Sequence, residues 1–215
     1  MKVVVLSSLA LKGVLEKSQA QFERTLGERL EMHFDATQAI LPRLAAGFGA
    51  DLVVLTAEAM ADLKKQKFIT EMRALGSSGV GVAVRAGAPK PDISSVEALK
   101  RALVSASSVA HSKVGASGIY FLQLLETLGV SGQVKRVVVD KGPVGLVVAA
   151  GEAELGVQQL CELAPVAGIE IVGPLPAAVQ KMTHFSAGIP ANASNRAGAA
   201  RLMELLRSDA SRAGL

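Results

Sequence analysis

Hydrophobic positions along this chain fall into short continuous runs separated by longer stretches of helical spacing. Apolar runs at residues 3–6, 30–34, 51–55 and 79–84 predict four strands in the first half. Between the first two, Leu11, Val14, Leu15, Phe22 and Leu26 recur on one face of a helix over residues 9–26, which Gly27 ends. Further helices are predicted over residues 37–46 and 58–66. Strands and helices alternating at such short intervals point to parallel α/β architecture.

The texture breaks at Ala86-Gly87-Ala88-Pro89-Lys90-Pro91-Asp92, where two prolines and a glycine can extend neither helix nor strand. Ser94-Ser95-Val96-Glu97 then reads as the capped start of a helix reaching residue 105. Strand, loop and helix resume at Val109, with a helix over 117–128 stopped by Gly129, a strand over 134–139 and a helix over 144–150. Short strands follow at 155–157, 169–172 and 185–189, and a last helix at 196–207. A second break falls near Thr183. The last helix has too little chain around it to stand alone and is expected to return to the first unit. The expected organisation is two α/β domains, residues 1–84 plus 185–215 and residues 85–184, joined by two crossovers with a ligand cleft between them.

Four junctions repeat one grammar, a hydrophobic strand, a small-residue loop and a helix start. They lead into Ser7-Ser8, Ala36-Thr37, Ser112 to Gly118, and Gly142-Pro143-Val144. A helix start leaves backbone N–H groups without intrahelical acceptors at the positive end of the dipole. Small and hydroxyl residues there let an anion come close. Ser and Thr are also ordinary N-caps, so one junction means little; the recurrence suggests an oxyanion or carboxylate site made of neutral donors.

Composition narrows the choice. At 215 residues, 50% hydrophobic and 20% charged, the chain can bury a substantial core and is not a disordered sequence. The single Cys161 excludes an intrachain disulfide and reads as a buried apolar side chain. The net charge is +4, but aromatics are 3% and Trp is absent, so nucleic acid is not an expected partner. A small anionic ligand suits that field. Met1-Lys2 runs straight into the first strand without a leader pattern, so the expected compartment is periplasmic if a leader has been removed and cytoplasmic otherwise.

The candidate ligand contacts are therefore Ser7, Ser8, Ala36, Thr37, Ser112, Gly115, Ala116, Ser117, Gly118, Gly142, Pro143 and Val144. His111 and Lys113 flank the third junction and are the candidates for a proton-transfer or charge-pairing role, a structural histidine and a solvated lysine being the plain alternatives. His33 and His184 have no ligand-like spacing to His111, so neither a metal site nor a cofactor is expected. No nucleophile elbow, zinc-binding His-Glu pair or Walker loop is present.

In order along the chain, Leu6-Ser7-Ser8-Leu9, Asp35-Ala36-Thr37, residues 50–56, Gly115-Ala116-Ser117-Gly118-Ile119-Tyr120 and Gly151-Glu152-Ala153-Glu154-Leu155-Gly156-Val157 resemble the molybdate-binding family of bacterial solute-binding proteins. The resemblance implies the type II periplasmic-binding-protein fold, an anion in the interdomain cleft and delivery to an ABC-type transporter component. Two departures stand out. Ala36-Thr37 lies where the family carries serines, and Gln158-Gln159 lies where it carries a tyrosine, so the resemblance implies Gln158 and Gln159 as further candidate ligand contacts. The 112–118 and 185–189 segments are similar to a divergent branch that includes aconitate isomerase. That branch implies the alternative of an isomerase acting on an unsaturated di- or tricarboxylate in the same cleft.

Overall fold

The computed structural model describes residues 1–213. Along the chain run β1 (Lys2–Ser8), α1 (Lys12–Leu26), β2 (Arg29–Asp35), α2 (Thr37–Ala45), β3 (Leu52–Thr56), α3 (Ala57–Lys65) and β4 (Ile69–Arg85). There follow α4 (Val96–Ser105), β5 (Val109–Ser112), α5 (Ala116–Thr127), β6 (Arg136–Val139), α6 (Val144–Ala149), β7 (Leu155–Gln159) and α7 (Leu160–Leu163). The last elements are β8 (Ile169–Pro174), β9 (Met182–Pro190) and α8 (Arg196–Ala213). Contacts divide the chain into unit 1, Met1–Ser77 with the chain from Thr183 onward, and unit 2, Ser78–Met182. Both passages between units fall inside strands, in β4 and at the start of β9.

In unit 1, β2, β1 and β3 are parallel neighbours and β9 runs antiparallel beside β3. Leu52 to Leu55 are wholly buried, as a strand covered on both faces requires. Leu6, Ile40, Leu44, Val53, Leu55 and Met60 pack into one core between strands and helices. The predicted first helix begins later than residue 9. Ser8 Oγ accepts from Ala10 N at 3.3 Å and turns residues Leu9–Leu11 into a 3₁₀ segment before α1 starts. The strand read from residue 79 is the second half of β4, whose first half lies in unit 1.

Asp51, nearly fully buried, accepts from Val4 N at 2.9 Å and from Asn195 N at 2.7 Å. Asn195 in turn accepts from Gly198 N at 3.0 Å and donates to Lys2 O at 3.0 Å. These bonds cap α8 and tie its start to the first strands, which explains why the last helix belongs to unit 1.

In unit 2, β6, β5 and β7 are parallel neighbours, while β4 is antiparallel to β7 and to β8 on its other side. Leu99, Leu103, Phe121 and Leu125 of α4 and α5 cover one face against Val82, Val109 and Val157. Val144 and Val148 of α6 cover Ala110 and Val139 on the other.

Candidate functional site

Parallel pairing decides which loops meet. In unit 1, Ser7 pairs with Phe34 and Ser8 with Asp35, so the Ser7-Ser8 and Ala36-Thr37 junctions leave the same sheet edge. Ser7 is fully buried and its hydroxyl donates to Ser8 O at 3.2 Å, while Ser8 serves as the cap already described. Ala36 is the N-cap of α2 and offers no side-chain acceptor. Its own N–H is taken by Asp35 Oδ1 at 2.8 Å, and Arg43 stands 3.7 Å from the other Asp35 oxygen. Thr37 opens the helix and is half-buried. Asp35 thus sets a carboxylate beside a helix start whose small residues predict hydrogen-bond donors for an anion.

In unit 2, Ser112 pairs with Val139 and His111 with Val157, so β5, β6 and β7 bring Ser112 to Gly118, Gly142 to Val144, and Gln158-Gln159 to one carboxyl edge. The α5 start carries the richest set of donors. Gly115 is its N-cap without a side-chain bond, so the first-turn N–H groups of Ala116, Ser117 and Gly118 have no intrahelical acceptor. Helices α3 and α4, by contrast, are capped by Thr56 and Ser95 side chains. Ser112 Oγ holds Gly115 N at 3.0 Å and shapes the loop. Gly118 packs flat on the Ser112 carbonyl, where any β-carbon would collide.

Two polar atoms at this edge are buried without a hydrogen-bond partner, His111 Nε2 and Ser117 Oγ. Buried polar groups are nearly always paired, so two orphans on neighbouring elements mark a place built for something else. The His111 ring lies against Phe121 with centroids 5.5 Å apart, and its Nδ1 is 3.1 Å from Ser112 O. A carbonyl can only accept, so Nδ1 carries the proton and Nε2 presents a lone pair. Burial pulls the imidazole pKa below its usual value, against the raising effect of that bond, which keeps it neutral.

Lys113 is placed otherwise. Its ammonium sits 2.8 Å from Asp140 and both side chains are exposed. The hydrogen bond and charge of Asp140 raise its pKa, so the lysine stays protonated and suits charge pairing rather than proton abstraction.

Gly142 and Pro143 are exposed, with Gly142 at φ 88°, a conformation glycine adopts without strain. The N–H of Val144, a candidate donor, is already given to Gln158 Oε1 at 2.9 Å. Gln158 and Gln159 are both buried, and Gln158 Nε2 donates to Glu162 at 2.6 Å. Desolvation pushes the Glu162 carboxyl up to about 7, the Gln158 bond opposing it. In the sequence Glu162 shows only a four-residue spacing from Gln158, and nothing local announces that it is half-buried. Cys161 is buried and its thiol is pushed up to about 11 by desolvation, which leaves it inert. Among the described residues no group of three His, Cys, Asp or Glu gathers as metal ligands would, and no helix is long and apolar enough to cross a membrane.

Residues 3–215 match the family model described as bacterial extracellular solute-binding protein. An aconitate isomerase from Pseudomonas sp is 38% identical over 222 residues, covering 98% of this chain and 84% of that protein. The periplasmic molybdate-binding protein of Azotobacter vinelandii superposes with TM-score 0.76 at 20% identity, over 95% of this chain and 92% of that one. The tungstate ABC transporter protein of Geobacter sulfurreducens gives 0.68 at 14% identity, over 97% and 98%. At such low identity the last two speak for the type II periplasmic-binding-protein fold, while the match along nearly its whole length shows that the chain belongs to the bacterial extracellular solute-binding protein family.

Proposed function

We propose that this chain binds a small unsaturated polycarboxylate and shifts a proton along it, the chemistry named for its aconitate isomerase relative. The observation that carries the reading is the buried His111 imidazole, neutral, with its Nε2 lone pair unpartnered beside an uncapped helix start. A solute-binding protein needs only neutral donors, whereas a proton shift needs a base as well. In this reading a ligand carboxylate accepts from the first-turn amides of α5 and from Ser117 Oγ. His111 Nε2 removes a proton from the methylene carbon, the electron pair of that C–H bond forms the new double bond, and a proton adds to the former vinyl carbon. The proton count is unchanged at the end.

A second reading, capture of a small anion for an ABC-type transporter without chemistry, draws support from the family match and from the free amides at α5. One experiment separates the two. The protein is incubated with cis- or trans-aconitate in D₂O while vinyl and methylene proton signals are followed. Interconversion with deuterium incorporation, lost in His111→Gln while the ligand still binds, supports the isomerase. Binding with neither exchange nor interconversion at high protein concentration leaves capture. Absence of any carboxylate binding overturns both.

A further inference from the structure

Glu162 has no place in the proton shift just described, yet its surroundings are unusual. Its carboxyl accepts from a neutral amide, Gln158 Nε2, and among the described residues no lysine, arginine or histidine pairs with it. Gln158 spends its other end on Val144 N, so Glu162, Gln158 and the first amide of α6 form one chain along the carboxyl edge of β6 and β7. His111 pairs with Val157, one residue before Gln158, so this chain lies on the α6 face of the sheet and the imidazole on the opposite, α5 face.

The groups facing Glu162 leave it electrostatically alone. On its own helix Cys161 is an un-ionised thiol, and α6 carries no titratable residue. On β8, Glu170 is turned to Lys90 and Gly87 N. From β7, Gln158 reaches it with its side-chain amide. A half-buried carboxylate without a cation is costly to keep ionised, so near neutral pH the protonated acid competes with it.

We propose that Glu162 is a positioning residue of this edge, acting through Gln158, and that it takes up a proton when an anionic ligand binds there. The inference rests on the carboxylate reading above. An arriving polyanion brings like charge to a group already poised between its two states, and like charge favours the protonated form. The acid then keeps the Gln158 amide and the α6 start in place without repelling the ligand.

The test uses tricarballylate, a saturated tricarboxylate that cannot isomerise. Its binding heat is measured at about pH 7.5 in buffers of differing ionisation enthalpy, which counts protons taken up per ligand. The expected result is uptake of about half a proton or more in the wild type, none in Glu162→Gln, and partial return in Glu162→Asp, with uptake retained in His111→Gln. Uptake unchanged in Glu162→Gln, or lost in His111→Gln, overturns the assignment. Absence of tricarballylate binding in the wild type at any pH tested overturns the carboxylate reading and this inference with it, whereas binding without proton uptake overturns the inference alone.

Discussion

A β-carbon on Gly118 would lie 1.8 Å from the Ser112 carbonyl oxygen and 2.7 Å from its carbonyl carbon. Both are backbone atoms of β5 and cannot rotate away, so α5 rests on the strand end only because residue 118 is glycine. Gly118→Ala must lift the start of α5, and overpacking of this kind costs about 3 kcal/mol. Urea unfolding should record that loss, and calorimetry should find tricarballylate affinity down by about tenfold or more, since the first-turn amides move with the helix. Gly115→Ala should be milder, because its β-carbon meets Ser112 Oγ at 2.8 Å, a side chain able to turn.

The Asp51 carboxylate serves the fold and not the site. Asp51→Ala leaves the N–H groups of Val4 and Asn195 without their acceptor in a buried setting. Each orphaned donor costs about 1–3 kcal/mol, so the variant should lose roughly 3 kcal/mol of stability. Ligand affinity per folded molecule should not change. An affinity loss at temperatures where the variant is fully folded would show that Asp51 reaches further than the anchoring of α8.

Much of this arrangement was legible in the residues. The runs that became β1 and β3 are continuous and apolar because these strands are covered on both faces, and such runs need no partner to be recognised. The first half of β4 was not legible. Thr70-Glu71-Met72-Arg73 lacks a clear apolar alternation, and Gly76-Ser77-Ser78-Gly79 imitates a loop. Its strand state comes from β9, a neighbour more than a hundred residues away. At the candidate site, small residues flagged the α5 junction, and His111 was visible beside it. Which helix starts keep their amides free was not visible, because Ser95 and Thr56 cap their helices while Ser112 and Ser117 do not. The partial burial of Glu162 is a tertiary property without a local signature.

Lys113 provides a contrast to His111. Its ammonium belongs to an exposed pair with Asp140, and such pairs are screened and contribute little to stability. Lys113→Ala should leave the melting temperature unmoved. If the isomerase reading holds, it should raise KM without lowering kcat, because a charge partner acts on binding and not on the proton in flight. A fall in kcat of about a hundredfold or more, with KM unchanged, would instead identify Lys113 as the base.

Stability against pH offers a check on buried His111 and half-buried Glu162 that requires no ligand. Glu162 is raised from 4.5 to about 7 in the folded chain, so between those values the unfolded state has released a proton that the folded state keeps. Stability therefore falls as pH rises through this window, by about 1.4 kcal/mol per pH unit where the difference is fullest, and on the order of 3 kcal/mol in all. His111 works the other way. Its folded pKa is depressed below 6.5, so the unfolded chain binds the proton more readily and stability is lost as pH falls below that value. In the wild type the two slopes oppose each other where the windows overlap, and each variant should uncover the other's. Glu162→Gln, which still accepts from Gln158, should gain on the wild type between about pH 5 and pH 8, while His111→Gln should gain on it toward acid pH. Urea unfolding of the three proteins across that range measures both. Parallel curves for Glu162→Gln and wild type would mean that Glu162 titrates as an ordinary exposed carboxylate.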